Sequence, residues 1–122
     1  MRIEKVFFLI LITLLSAGCK KNQPGGKSIL TGQVKHHEKV IPFSTVFIKY
    51  AAEEFPGADT LLYDSKVKTG ADGRYSFSLY QGTYFLYGRG YDSGVPGTVV
   101  GGIKYHLRNN ETKSLDVSVT EE

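Results

Sequence analysis

The chain has 122 residues, a formal net charge of +3 and a single cysteine, which leaves room for one small domain and excludes a disulfide framework or a thiolate metal cluster. Its 41% hydrophobic content is unevenly spread, because the first 18 residues alone hold 12 apolar side chains. Basic and acidic residues are interspersed without a concentrated basic face, so no nucleic-acid partner is expected.

Arg2 and Lys5 make a basic start, Val6 to Leu15 is apolar except for Thr13, and Ser16-Ala17-Gly18 places small residues before Cys19. That order predicts an export signal peptide over residues 1–18, too short to span a bilayer securely. The competing reading is a retained N-terminal membrane helix, and small residues meeting a lone cysteine count against it. The segment Leu14-Leu15-Ser16-Ala17-Gly18-Cys19 resembles the lipobox of bacterial lipoproteins, although Ser16 stands where Leu is usual. The resemblance implies cleavage before Cys19 and acyl chains of the palmitate kind on that residue, which makes the membrane a partner through the N-terminal lipid. Two or three long chains hold firmly where one holds marginally. In lipoproteins of Gram-negative bacteria Asp after the cysteine retains the protein at the inner membrane. Lys20 stands there here, which points to the outer membrane. Lys20 to Lys27 has no apolar side chain and contains Pro24-Gly25-Gly26, so residues 19–27 read as a lipidated flexible tether and residues 28–122 as the folded domain.

From Ser28 the apolar pattern has period two and is broken by Gly, Pro, Asn and Asp about every ten residues, which predicts an all-β sandwich or barrel. Leu30 and Val34 point inward from a first strand, with a turn at His36 to Lys39. Val46, Ile48 and Tyr50 alternate with Thr45, Phe47 and Lys49 in a second strand, entered through Pro42. A polar loop from Ala51 to Thr60 leads to a third strand with Leu61, Tyr63, Ser65 and Val67 on one face. Gly70-Ala71-Asp72-Gly73 is a tight turn. Tyr75, Phe77 and Leu79 then alternate with Ser76 and Ser78, and Tyr80 to Thr83 returns the chain into Tyr84 to Tyr91. Read as a hairpin, this places Phe77 opposite Leu86 inward, with Ser78 opposite Phe85 and Ser76 opposite Tyr87 outward. Val99 to Leu107 is a sixth strand in which Gly101-Gly102 suggests a bulge. After a turn at Arg108 to Glu111, Leu115, Val117 and Val119 mark the last of seven strands, the number expected of a Greek-key sandwich.

The run Thr69-Gly70-Ala71-Asp72-Gly73-Arg74-Tyr75-Ser76-Phe77 and the following Gly82-Thr83-Tyr84-Phe85-Leu86 resemble the T-x-x-D-G-x-Y-x-F … G-x-Y-x-L signature of carboxypeptidase-regulatory-like domains. Gly32-Gln33-Val34 and Pro42 with Val46 fit the opening strands of the same family, so the resemblance covers nearly all of residues 28 to 119. It departs at His36-His37-Glu38-Lys39, where the family often has Gly, and in the enlarged 51–60 loop. The family implies a prealbumin-like (transthyretin-like, Ig-like) sandwich used as a non-catalytic accessory module, which fixes shape better than activity.

Candidate chemistry is sparse. His36, His37 and Glu38 are adjacent in an extended segment and so point to opposite faces, His106 lies far along the chain, and the group reads as a solvated turn with no metal. Asp59, Asp64 and Asp72 lack calcium-loop spacing. No G-x-S-x-G elbow or acid pair stands out. Transthyretin-related hydrolases end in Tyr-Arg-Gly-Ser, whereas this chain has an internal Gly88-Arg89-Gly90-Tyr91 and closes on Val119-Thr120-Glu121-Glu122, so neither an enzyme nor a cofactor is expected. The polar-out rule fails at the outward row Phe85, Tyr87, Arg89 and Tyr91, the candidate binding surface, where rings beside Ser76 and Ser78 would stack a sugar or receive a protein unless a loop covers them. The expected function is a lipid-anchored, non-enzymatic module of the cell envelope with an envelope protein as partner, and the alternative is a carbohydrate-binding module with a glycan.

Overall fold

The computed structural model describes residues 20–122, so the expected export signal and Cys19 lie outside the described residues. Two sheets of extended backbone pack face to face as an all-β sandwich. In the first sheet β1 (Pro24–His36) is central. It pairs antiparallel with β5 (Arg74–Leu79) on one side and parallel with β8 (Thr112–Ser114) and β9 (Val117–Ser118) on the other, and β2 (Lys39–Val40) is a short return on its end. The second sheet runs β10 (Thr120–Glu121), β7 (Gly97–Leu107), β6 (Gly82–Asp92), β3 (Thr45–Tyr50) and β4 (Ser65–Lys68), all antiparallel.

Period-two alternation explains why the sheets meet. Leu30 and Val34 from β1 and Tyr75 and Leu79 from β5 face Val46, Ile48, Leu86 and Val99, and these side chains form the buried core. The buried tyrosines keep their hydroxyls satisfied: Tyr84 donates to the Tyr80 carbonyl at 2.7 Å, and Tyr75 donates to the carbonyl of Leu115.

Four expectations are corrected. First, β5 and β6 are not a hairpin. Their ladders go to β1 and to β3 and β7, so the turn at Tyr80-Gln81 carries the chain from one sheet to the other, and Ser76 and Ser78 do not lie beside Phe85 and Tyr87. Second, Gly101-Gly102 makes no bulge: β6 and β7 pair in unbroken register from Gly82–Leu107 to Asp92–Gly97. The glycines serve close approach, since a Cβ on Gly101 would meet the Ser118 carbonyl of the opposing sheet and one on Gly102 would strike the Phe85 ring. Third, the third strand is short. Thr60–Leu62 is a 3-10 turn capped by the Asp59 side chain, and only Ser65–Lys68 pairs with β3. Fourth, much of the 20–27 tether is fixed. The Asn22 amide donates to Gln81 at 2.9 Å, the Tyr80 amide to Gln23 at 2.9 Å and the Thr83 amide to the Asn22 side chain at 3.0 Å, so the fold begins two residues after Lys20.

The last strand is also divided. β8 and β9 belong to the first sheet and β10 to the second, with Leu115 and Asp116 dipping between them. Gly32 permits that dip, because the Leu115 carbonyl occupies the space a Cβ would need.

Candidate functional site

The outward row is present in the second sheet. Phe85 sits opposite Lys49, Tyr87 opposite Phe47 and Arg89 opposite Thr45, all on the face away from the core. Its first two rings are nevertheless buried, Phe85 at 9% exposure and Tyr87 at 3%. The segment between β3 and β4 folds back over them. Phe55 lies 5.5 Å from Phe85 and 5.7 Å from Tyr87, and Tyr63 stacks on Tyr87 at 5.6 Å with 16° between planes. The segment is held at both ends: Ala52 donates its amide to Thr83 at 3.1 Å, and Asp64 accepts from the Tyr50 amide at 2.8 Å. The Tyr63 hydroxyl donates to the Gly57 carbonyl at 2.9 Å, and burial, with a smaller contribution from neighbouring Tyr87, pushes it up to about 12. Phe85 and Tyr87 are therefore part of an outer cluster and not an open platform. Arg89 is exposed and pairs with Glu122 at 2.8 Å, and Tyr91 is free at 59% exposure.

A second correction concerns His36. The expected solvated turn holds for His37 and Glu38, but His36 follows Leu30, Gly32 and Val34 on the inward parity of β1 and is only 3% exposed. Its Nδ1 is 2.8 Å from Oδ2 of Asp92, the last residue of β6, itself 3% exposed. The ammonium of Lys39 donates to the other oxygen at 2.8 Å, and the Gly94 amide donates to that same oxygen at 2.8 Å. An ionised carboxylate only accepts, so His36 carries its proton on Nδ1. The bonds from His36 and then Lys39 and Gly94 outweigh burial and hold the Asp92 carboxyl well below the usual range. With its oxygens engaged by three donors, Asp92 serves as a clasp between the β1–β2 turn and the β6–β7 turn and is not free to act as a base.

Beside this clasp opens a groove of about 350 Å³ lined by buried Ile41, exposed Pro42, Lys39 and Ser93. Phe43 and Tyr91 line it and remain 62% and 59% exposed. Phe43 also holds a φ of +55°, a left-handed conformation costly for a bulky residue. Its amide donates to the Gly70 carbonyl at 3.0 Å, which ties it to the turn before β5. Of the predicted row, Tyr91 alone belongs to this groove.

Two exposed rings beside a hydroxyl and an ammonium can stack on the apolar face of a ring-shaped ligand and bond its edge. Sequence reasoning missed Phe43, which carries no pattern signal, and it missed the His36–Asp92 pair, for which strand parity was the available clue. Among the described residues no group of three His, Asp or Glu side chains is placed to hold a metal ion. No protein-family model matches the chain, and no curated protein matches it at a significant level.

Proposed function

We propose that this chain is a lipid-anchored, non-catalytic β-sandwich of the cell envelope, held at the outer membrane through Cys19 and acting by protein interaction or structural support. The observation that carries this reading is the order of the N-terminus: a basic start, an apolar stretch and small residues ending at a lone cysteine, with the first tertiary hydrogen bond only three residues later at Asn22. The carboxypeptidase-regulatory-like resemblance is supported by the packing of two sheets as a sandwich.

A second reading, a carbohydrate-binding module, is favoured by the groove with Phe43 and Tyr91. The strands β1 and β6 run from the Asn22 end to the groove end, so an anchored domain presents the groove roughly 35 Å from the membrane. Radioactive palmitate should label the native protein and not Cys19→Ser, and equal label in both overturns the anchor. A glycan array probed with the same protein separates the readings. Binding that vanishes in Tyr91→Ser favours the carbohydrate module, and a blank array leaves protein interaction.

A further inference from the structure

The aromatic cluster on the outer face of the second sheet is roofed but not closed. Phe85, Tyr87 and Arg89 lie directly opposite Lys104, Gly102 and Val100 along the β6–β7 ladder, and directly opposed residues share a face. Phe55 covers the β6 rings from the 51–60 loop, while the β7 position opposite Tyr87 is a glycine and carries no side chain. A cleft of about 450 Å³ remains between the loop and β7. Phe55 and Ala58 line it from the loop, Phe85 and Tyr87 from β6, and Val100 with the two glycines that follow it from β7. It shares no lining residue with the Phe43 groove, and its volume is that of a small-molecule site.

The lining limits what can enter. The Tyr87 hydroxyl is the one polar side-chain group among those residues. The cations that flank the cleft on the outer face already have partners: Lys104 meets Glu53 at 3.8 Å and Arg89 meets Glu122 at 2.8 Å, and none of the four lines the cleft. An ion would leave water for an apolar wall that offers it no counter-charge, so the ligand is uncharged. Three of the lining side chains are aromatic, and rings pack favourably against rings, offset or edge to face.

The Tyr87 hydroxyl adds a direction. Tyr63, Tyr75, Tyr84 and Tyr105 each donate to an oxygen of the chain. Tyr87 is only 3% exposed, yet among the described residues its hydroxyl has no hydrogen-bond partner. No sealed polar side-chain atom among the described residues lacks a partner, so the Tyr87 oxygen is not sealed off, and the opening its side chain lines is this cleft. Packed rings thus hold a donor in place without an acceptor.

We propose that the cleft binds a small uncharged aromatic molecule bearing one oxygen acceptor, of the aryl ketone or aryl ester kind. Its ring lies against Phe55 and Phe85, and its oxygen accepts from Tyr87.

The test titrates the full chain in detergent micelles with acetophenone, corrected for uptake by empty micelles, and follows amide resonances. Those of Val100, Gly101 and Gly102 should shift and saturate at millimolar probe. Ethylbenzene keeps the ring and lacks the oxygen, and it should bind about fivefold more weakly, the worth of one hydrogen bond. Benzoate should bind about tenfold more weakly than acetophenone or worse. Tyr87→Phe keeps the ring and removes the hydroxyl. It should bring acetophenone down to the level of ethylbenzene and leave ethylbenzene unchanged, a pattern that a loosened fold does not produce. Should that variant fail to fold, Ala58→Phe, at an exposed loop position, should fill the cleft and abolish the shifts from both neutral probes at an unchanged melting temperature. Shifts that stay linear up to the solubility of acetophenone overturn the proposal, as do shifts confined to Phe43 and Tyr91. So does benzoate binding as tightly as acetophenone, or a folded Tyr87→Phe or Ala58→Phe variant that binds acetophenone as the native chain does.

Discussion

The two aromatic regions of this sandwich look alike in composition and differ in every physical respect. Phe85 and Tyr87 sit on a regular strand with a pairing partner on each side, and Phe55 and Tyr63 close over them. Phe43 and Tyr91 sit where strands begin and end, one of them in a left-handed backbone, and nothing among the described residues covers them. The first region gains stability by removing rings from water. The second leaves two rings in water and holds one in a costly conformation, the opposite of what stability alone would select. Aromatic residues facing outward are thus weak evidence for a binding surface until what lies above them is known.

The most severe way to test this contrast is Tyr87→Ser. Tyr87 touches Phe47, Phe55 and Tyr63 at ring-centroid distances of 6.4, 5.7 and 5.6 Å, so its removal opens a hole in a packed cluster. The expected cost is about 3 kcal/mol, a fall in melting temperature of more than roughly 10 °C for a domain of this size. A melting temperature within a degree or two of the native protein would return Tyr87 to the list of surface residues.

Next in size is the clasp. The Asp92 carboxyl is held below its unfolded value near 3.9, so its contribution is complete above that pH and is lost as the pH falls through the folded value. Asp92→Asn should be less stable than the native protein at pH 7 and should lose less stability between pH 5 and pH 2. Asp116 and Glu111 are held low as well, chiefly by the Gln33 and Arg108 amides, so both proteins still weaken in acid. Parallel unfolding free energies for the two across that range would show that Asp92 is not the group responsible.

How much of this was legible beforehand follows from what each kind of residue reports. Tyr75, Leu79, Val46 and Ile48 announce an inward face through period two, and all four are buried as expected. Period two says nothing about which strand lies alongside, so it fits a β5–β6 hairpin as well as the crossing between sheets that the ladders show. Gly101 and Gly102 suggest a bulge from sequence, but they share one purpose with Gly88 and Gly90. They are where the other sheet, the β2–β3 connection and the Phe85 ring come too close for a Cβ. His36 continues the inward parity of Leu30 and Val34 but opens the expected turn at His36 to Lys39, and its partner Asp92 lies 56 residues away, so no local pattern connects them. Phe43 was not legible at all, since a left-handed backbone is set by the turns it is tied to.

The smallest expected effects decide between function and chance at the groove. Replacing Phe43 with Gly removes a ring that is 62% exposed and relieves a φ of +55°. Little burial is lost, and release of the strain should raise stability by about 1 kcal/mol. Tyr91→Ser should stay within about 0.5 kcal/mol of the native protein. If the groove binds a ring-shaped ligand, both variants lose that binding while remaining as stable as the native protein or more so, a combination that loss of fold cannot produce. If Phe43→Gly instead destabilises the domain by more than about 1 kcal/mol, the ring is holding the β2–β3 connection against Ile41 and Gly70, and the strain at Phe43 belongs to the fold and not to a ligand.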